Sequence, residues 1–377
     1  MKEGWKYKKL NELCNITTGK HDANHAKEGG LYRFYTCASQ YLFCDTFKFD
    51  GDCLILPGNG ANVGDVYKYS GKFDAYQRTY VLCNIKSDII AFDFLYYFFL
   101  FKWRTHGTAK QYGAATNYIV LSNFTDFNVY FPPLPEQRTI VARLDSVFAQ
   151  IDALKANAEK QLSEARKLFQ KALEEAMTPK EGWEEKKFKD LCTFVRGPFG
   201  GSLKKECFVP SGFAVYEQQN AIYNRFTFRY FINEEKYKSM IRFTVEPGDL
   251  IMSCSGTIGK VAIVPEGAAK GIINQALLKL SPKEILDKYY LKYLMESSFF
   301  DSLIAQYSDG AAIKNIASVA ILKDIFIPFP PLLTQHTIVA HLDALSSHVR
   351  ALEEVLQKTI AECDALKQSI LRSVFEE

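Results

Sequence analysis

Four blocks of this chain occur twice, in the same order, and a chain assembled from two copies of one unit folds as two similar bodies on a common plan. Glu3-Gly-Trp-Lys-Tyr-Lys-Lys-Leu-Asn-Glu-Leu-Cys14 returns as Glu181-Gly-Trp-Glu-Glu-Lys-Lys-Phe-Lys-Asp-Leu-Cys192, identical at seven of twelve positions. Gly51-Asp52, followed by an apolar run and by Gly60 and Gly64, returns as Gly248-Asp249 with Gly256 and Gly259. Gly113-Ala-Ala-Thr-Asn-Tyr-Ile119 returns as Gly310-Ala-Ala-Ile-Lys-Asn-Ile316. Pro132-Pro-Leu-Pro-Glu-Gln-Arg-Thr-Ile-Val-Ala-Arg-Leu-Asp145 returns as Pro330-Pro-Leu-Leu-Thr-Gln-His-Thr-Ile-Val-Ala-His-Leu-Asp343, identical at ten of fourteen. The offset grows from 178 to 197 between the first two blocks, so the copies differ chiefly in one stretch, 15–50 against 193–247. A kept scaffold with one divergent, loop-rich, polar and aromatic stretch reads as two recognition bodies for different targets.

Each copy begins with short β-type runs, Cys53–Leu56 and Tyr80–Ile85 in the first, Leu250–Met252 and Val261–Val264 in the second, separated by glycine turns. An aromatic helical stretch follows, Phe92–Trp103 and Tyr289–Phe300. After each Pro-Pro pair the period changes to that of one long helix. The first carries a four-three stripe of Ile140, Leu144, Val147, Ile151, Leu154, Ala158, Gln161, Ala165, Leu168 and Ala172; the second carries Ile338, Leu342, Leu345, Val349, Leu352, Leu356, Thr359, Cys363, Leu366 and Ile370. Charged residues cover the other faces, which favours a coiled-coil seam over a helix buried on all sides. The expected architecture is α/β (α+β): a globule at 1–131, a long helix at 132–179, a second globule at 180–329 and a second long helix at 330–377. The helices pair antiparallel around a pseudo-two-fold axis. Aligning their stripes makes partner numbers total about 510, with Leu154 facing Leu356, Ala158 facing Leu352 and Ala165 facing Leu345.

Charge and composition narrow the chemistry. The whole chain carries +3, and each globule by itself carries +3, which permits a nucleic-acid reader with its cations gathered on one face. The longest apolar run, Phe94–Phe101, is far short of a membrane span, and the charged start reads as a cytoplasmic protein. Nine scattered cysteines without a C-x-x-C pair fit neither a disulfide framework nor a zinc ribbon. His21 and His25 lack an acidic or cysteine partner at ligand spacing, so no metal site is expected. Neither a phosphate-binding glycine loop, a dinucleotide fingerprint, a nucleophile elbow nor an Asn/Asp-Pro-Pro-aromatic methylation motif occurs, so no catalytic residue and no bound cofactor is assigned. Amide, hydroxyl and basic side chains do gather near the glycine loops. Arg and Lys suit guanine, Asn and Gln suit adenine, and Ser and Thr suit phosphates. On that ground the candidate DNA-contacting residues are Asn59, Asn62, Gln77, Arg78 and Thr79 in the first copy. In the second they are Lys204, Lys205, Gln218, Gln219, Asn220, Ser255, Thr257, Asn274 and Gln275, where Gln275 aligns with Gln77.

The twin Pro-Pro-Leu-x-x-Gln-x-Thr-Ile-Val-Ala-x-Leu-Asp blocks, each closing a globule and opening a long helix, resemble the specificity (S, HsdS-type) subunit of type I restriction-modification systems. The resemblance covers essentially the whole chain; Thr334-Gln335-His336 departs from the usual Glu-Gln-Arg. It implies two target-recognition domains held by an antiparallel coiled coil and an asymmetric bipartite site on double-stranded DNA. It also implies assembly with two methyltransferase subunits and with motor-nuclease subunits, where S-adenosylmethionine, ATP and Mg would reside. A coiled-coil adaptor that does not touch DNA is the alternative.

Overall fold

Alternation along one buried strand organises each half of the molecule. The computed structural model describes residues 4–109, 117–199, 201–255, 257, 259–306 and 319–376; the Gly113 and Gly310 blocks fall largely outside them. In strand Asp52–Pro57 every position after Asp52 is buried. Successive side chains of a strand point to opposite faces, so Cys53 and Ile55 enter one core with Tyr35, Phe73 and Val81, while Leu54 and Leu56 enter another with Leu82, Phe94 and Phe98. The second copy repeats this: Ile251 packs with Tyr216 and Ile273, Leu250 and Met252 with Leu278 and Tyr290.

The central sheet has the same order in both copies. In the first, Asn15–Thr18, Thr79–Cys83, Asp52–Pro57 and Tyr67–Ser70 pair in that order; in the second, Cys192–Arg196, Leu277–Pro282, Leu250–Ser253 and Val261–Ile263 do so, all antiparallel. The other sheet is where the copies part. Among the described residues it has three strands in the first, Leu42–Cys44, Tyr32–Tyr35 and Phe73–Ala75, and five in the second, Phe208–Val209, Phe231–Ile232, Phe213–Tyr216, Gly271–Ile273 and Thr244–Val245. The extra strands lie inside 193–247, the stretch that the repeat offsets single out. A short ribbon closes each globule, Lys6–Lys9 with Asn128–Phe131 and Glu184–Lys187 with Phe326–Phe329.

The repeated Pro-Pro-Leu-x-x-Gln block acts as a latch between globule and helix. Helices Leu134–Met177 and Leu332–Phe375 start directly after the prolines. Gln137 and Gln335 are fully buried. The Gln137 amide donates to the carbonyls of Ile89 (3.1 Å) and Pro132 (2.8 Å) and accepts from Ala91 N (2.8 Å). Gln335 makes the same three bonds with Ile285, Pro330 and Asp287. Eight residues further on, Asp145 and Asp343 accept from Tyr97 (2.5 Å) and Tyr293 (2.6 Å), and burial beside those carboxylates pushes both phenols up. Replacing Gln137 or Gln335 with Leu removes the partner of one buried and two half-buried backbone groups, and with a buried group left unsatisfied costing about 1–3 kcal/mol we expect a destabilisation of about that size. Urea unfolding reads this as a lower midpoint, whereas Arg138→Ala on the exposed face next door leaves the midpoint unchanged.

The chain divides into two compact units, Met1–Lys160 with Leu356–Glu377, and Gln161–Val355, so each unit contains a globule together with a part of both helices. Within each the helices run antiparallel. Lys155 pairs with Asp364 (2.7 Å) and Asp152 with Lys367 in the first unit, and Arg166 with Glu353 (2.6 Å) in the second. The partner numbers total 519 in all three pairs, so the register differs from the total of about 510 that the stripes predict. The reason is the phase of the seam. Leu144, Ile151, Ala158 and Ala165 are buried as expected, but the alternate positions are Phe148, Lys155, Leu162 and Phe169, one residue beyond Val147, Leu154, Gln161 and Leu168. Leu154 and Leu352, assigned to the seam, are 53% and 42% exposed, and Leu168 and Leu366 also face solvent. Val147, Ile140, Ile338, Leu345 and Val349 are half-buried, while Leu342 and Leu356 are buried. The ion pairs exchange sign between copies: Lys155 corresponds to Glu353 and Arg166 to Asp364 at the constant offset of 198. A helix paired with its own copy at this register would set like charges together, so the pairs favour helix one against helix two, although exposed pairs contribute no more than about 1 kcal/mol each.

Candidate nucleic-acid interface

Among the described residues, each globule contains one pair of parallel strands, Tyr32–Tyr35 with Phe73–Ala75 and Phe213–Tyr216 with Gly271–Ile273. Parallel neighbours end on the same side, and the crevice outside their carboxyl ends is a general location for ligand sites. Tyr35 and Ala75 finish together, as do Tyr216 and Ile273. The chain then turns at Tyr76-Gln77-Arg78, fixed by Tyr76 N to Tyr35 O (2.9 Å), and at Asn274-Gln275, fixed by Asn274 N to Tyr216 O (3.0 Å). Beneath each turn passes a glycine. A Cβ at Gly19 would lie 1.7 Å from Ala75 O, and one at Gly197 would lie 1.8 Å from Asn274 O, so only glycine fits either crossing. Gln77, Arg78 and Gln275 are exposed at the tips.

Around the first tip, Thr18, Gly58, Asn59, Tyr80, Tyr118 and Ile119 join Gln77 and Arg78 in lining a cleft of about 360 Å³. Ile119 N donates to Gly58 O (2.9 Å) and Gly60 N to Asn117 O (2.8 Å), which brings the 117–119 segment to the glycine loop. Asn62 is half-buried and does not line the cleft, its Nδ2 donating to Cys37 O (2.8 Å). Around the second tip, Cys254 N donates to Ala276 O (2.8 Å), so exposed Ser255 and Thr257 flank Gln275. Asn274 folds its Oδ1 back onto Ala276 N (3.0 Å). The helix Gln218–Tyr223 starts where Phe213–Tyr216 ends, so half-buried Gln218 and Gln219 belong to the same end of the globule.

Two candidates are structural instead. Thr79 is fully buried at the start of its strand. Asn220 is also fully buried: its Nδ2 donates to Arg225 O (2.6 Å) and Thr227 O (3.3 Å), and its Oδ1 accepts from Glu217 N (2.7 Å). Neither offers a side chain to a groove. Lys204 and Lys205 are exposed, but they precede edge strand Phe208–Val209, which one strand separates from Phe213–Tyr216. Sequence reasoning missed Thr18 and Tyr118, which join the cleft only through tertiary contacts, and Arg33, whose guanidinium lies 4.4 Å from the Tyr41 ring and 4.5 Å from the Tyr69 ring. A single Arg among aromatic residues, Tyr32-Arg33-Phe34-Tyr35, was the available signal for Arg33. Burial pushes the Cys14 and Cys53 thiols up to about 12, away from the reactive thiolate form.

Matching folds, matching tips and matching latches set the context for comparison with known proteins. The type I restriction modification DNA specificity domain matches residues 2–164 and again 180–362. The chain belongs to this family. It is a specificity subunit and not an enzyme, like the relatives that it resembles along its length. The EcoDI specificity subunit of Escherichia coli is 27% identical over 408 residues, covering 98% of this chain and 88% of that protein. The EcoBI specificity subunit of the same organism is 26% identical over 281 residues, 65% of this chain and 56% of that one. Among solved structures, a chain from a study of complex assembly and conformational transition of the type I R-M system superposes with a TM-score of 0.78 at 19% identity, covering 99% of this specificity subunit and 98% of that chain. The HsdS subunit from Thermoanaerobacter tengcongensis gives 0.53 at 19% identity, with 99% and 97% covered. These two likenesses establish the fold. No helix among the described residues is long and apolar enough to cross a membrane.

Proposed function

We propose that each globule reads one half of an asymmetric bipartite site in double-stranded DNA and that the paired helices fix the spacing between the halves. The observation that carries this reading is the recurrence of one tip, Gln77-Arg78 and Asn274-Gln275, at the end of the parallel strands of each globule, surrounded by loops that differ between copies. Amide side chains at such tips suit bidentate contact with adenine, and Arg78 suits guanine or phosphate. The surplus of +3 on each globule supports electrostatic attraction to the backbone.

The outer faces of the helices would seat two methyltransferase subunits. Leu154 and Leu366 in the first unit, and Leu168 and Leu352 in the second, are exposed apolar side chains on otherwise charged helices, and a helical partner would cover them. Methylation of adenine would then occur on those partners with S-adenosylmethionine, and cleavage on motor-nuclease subunits with ATP and Mg; this chain would hold none of the three. The test is base preference of the complex assembled with the methyltransferase encoded beside this chain. Gln77→Ala should relax one base position in one half-site by about 1–3 kcal/mol, and Gln275→Ala should do so in the other half-site alone. Unchanged preference in both variants would make the two glutamines structural and remove the carrying observation.

A further inference from the structure

One cluster in the first globule has no part in base reading. His21 precedes and His25 ends the 3₁₀ turn Ala23–His25, and their rings lie face to face with centroids 3.6 Å apart and planes 6° from parallel. Nε2 of His21 lies 3.5 Å, and Nε2 of His25 4.0 Å, from the same oxygen, Oδ2 of Asp74. The sequence offers these imidazoles no acidic partner at ligand spacing; the fold supplies one from about fifty residues downstream.

Asp74 is the reason to take the cluster as a site. It is 1% exposed on strand Phe73–Ala75. Aligning the parallel pairs, Tyr35 with Ala75 and Tyr216 with Ile273, gives Ile272 the same position in the second globule, where it is likewise buried. A carboxylate thus replaces an isoleucine in a core, and a buried charge is costly unless compensated. Its hydrogen bonds come from a backbone amide, Ala75 N at 2.8 Å, and a hydroxyl, Thr46 Oγ1 at 3.2 Å, neither of which carries charge. Lys48 senses Asp74, but its ammonium donates to Thr18 O at 2.6 Å. One dication held by both rings and the carboxylate satisfies all three groups.

We propose that His21, His25 and Asp74 bind one divalent transition ion of the zinc class, the imidazoles through Nε2 and the carboxylate through Oδ2. Tetrahedral zinc with bonds of about 2.0–2.1 Å places its ligand atoms about 3.3 Å apart, and the nitrogen-to-oxygen separations here are 3.5 and 4.0 Å; because each lone pair lies in its ring plane, one imidazole turns out of the stack for both Nε2 atoms to meet the same ion. The donor atoms all lie within 4.8 Å of one another. The ion replaces the contact of His25 Nε2 with Thr46 Oγ1 at 2.8 Å. Its effect reaches the tip, because Gln77 N donates to His21 O at 2.8 Å and residue 21 bridges Tyr76. Binding therefore stiffens the turn that displays Gln77, and the second globule, with Ile272, has no counterpart.

The experiment is titration of the full-length chain with Zn(II) followed by calorimetry, with Co(II) absorption as a reporter of geometry. One saturable equivalent is expected, with intense visible Co(II) bands of a tetrahedral site and slower hydrogen exchange at the Gln77 amide on loading. His21→Gln and His25→Gln, both on an accessible turn, should each weaken binding at least tenfold, the size that even outer ligand-orienting changes reach. His336→Gln, in the other unit, should leave it unchanged. Absence of a saturable equivalent, or affinity in His21→Gln and His25→Gln unchanged from that of the unsubstituted chain, overturns the site; exchange at Gln77 that ignores the ion overturns its link to the tip.

Discussion

Exchanging residues 182–329 for the corresponding globule of a relative is expected to replace one half-site of the recognised sequence completely and to leave the other unchanged. The boundaries follow from the fold. Glu184–Lys187 pairs with Phe326–Phe329 to close the globule, and the latch residue Gln335 lies just beyond on the helix. The central sheet and the Gln335 and Tyr293 contacts recur in both copies, so a transplanted globule meets the same helix surface. A mismatched base pair typically costs about 1–3 kcal/mol, so several altered positions shift preference by roughly a thousandfold or more. Methylation mapping of the exchanged complex reads both halves at once. A change in both half-sites would mean that the globules are not independent readers.

The second large effect concerns spacing. Four residues inserted near Ala158, about one helical turn, lengthen the first helix by about 6 Å if it stays continuous. Since DNA rises about 3.4 Å per base pair, the spacer between half-sites should grow by no more than about two base pairs, with both half-site sequences kept because the tips are untouched. The partner helix must slip or bulge to accommodate the turn, and ion pairs such as Lys155–Asp364 report whether it does. An unchanged spacer with activity retained would move the ruler from these helices to the partner subunits of the assembled complex.

The duplication, the long helices and the mixed α/β globules were legible because each rests on periodicity or repetition. The phase of the helix seam was not. Hydropathy places Leu154 inward and Lys155 outward, yet the antiparallel partner offers Asp364 beside the seam, and a lysine can bury its stem while its ammonium pairs at the edge. The interface was legible in part. Repetition pointed to Gln77 and Gln275, which the fold leaves exposed and which stand as proposed contacts, but residue type could not separate an exposed amide from a buried one, and Asn220 and Gln137 proved to be internal clamps whose partners are backbone groups that no side-chain pattern advertises. Tyr118 and Asp74 reach their sites through strand pairings across many residues, beyond any local motif.

The central claim is that one chain carries two separate readers at a fixed distance. Its most direct test is to map methylated adenines in a genome where this chain and its methyltransferase are the only such system, with and without the chain. The account predicts one asymmetric motif that appears only with the chain, two constant half-sites flanking a spacer of fixed length and variable sequence. A continuous motif, a palindromic one, or methylation that persists without the chain would contradict it.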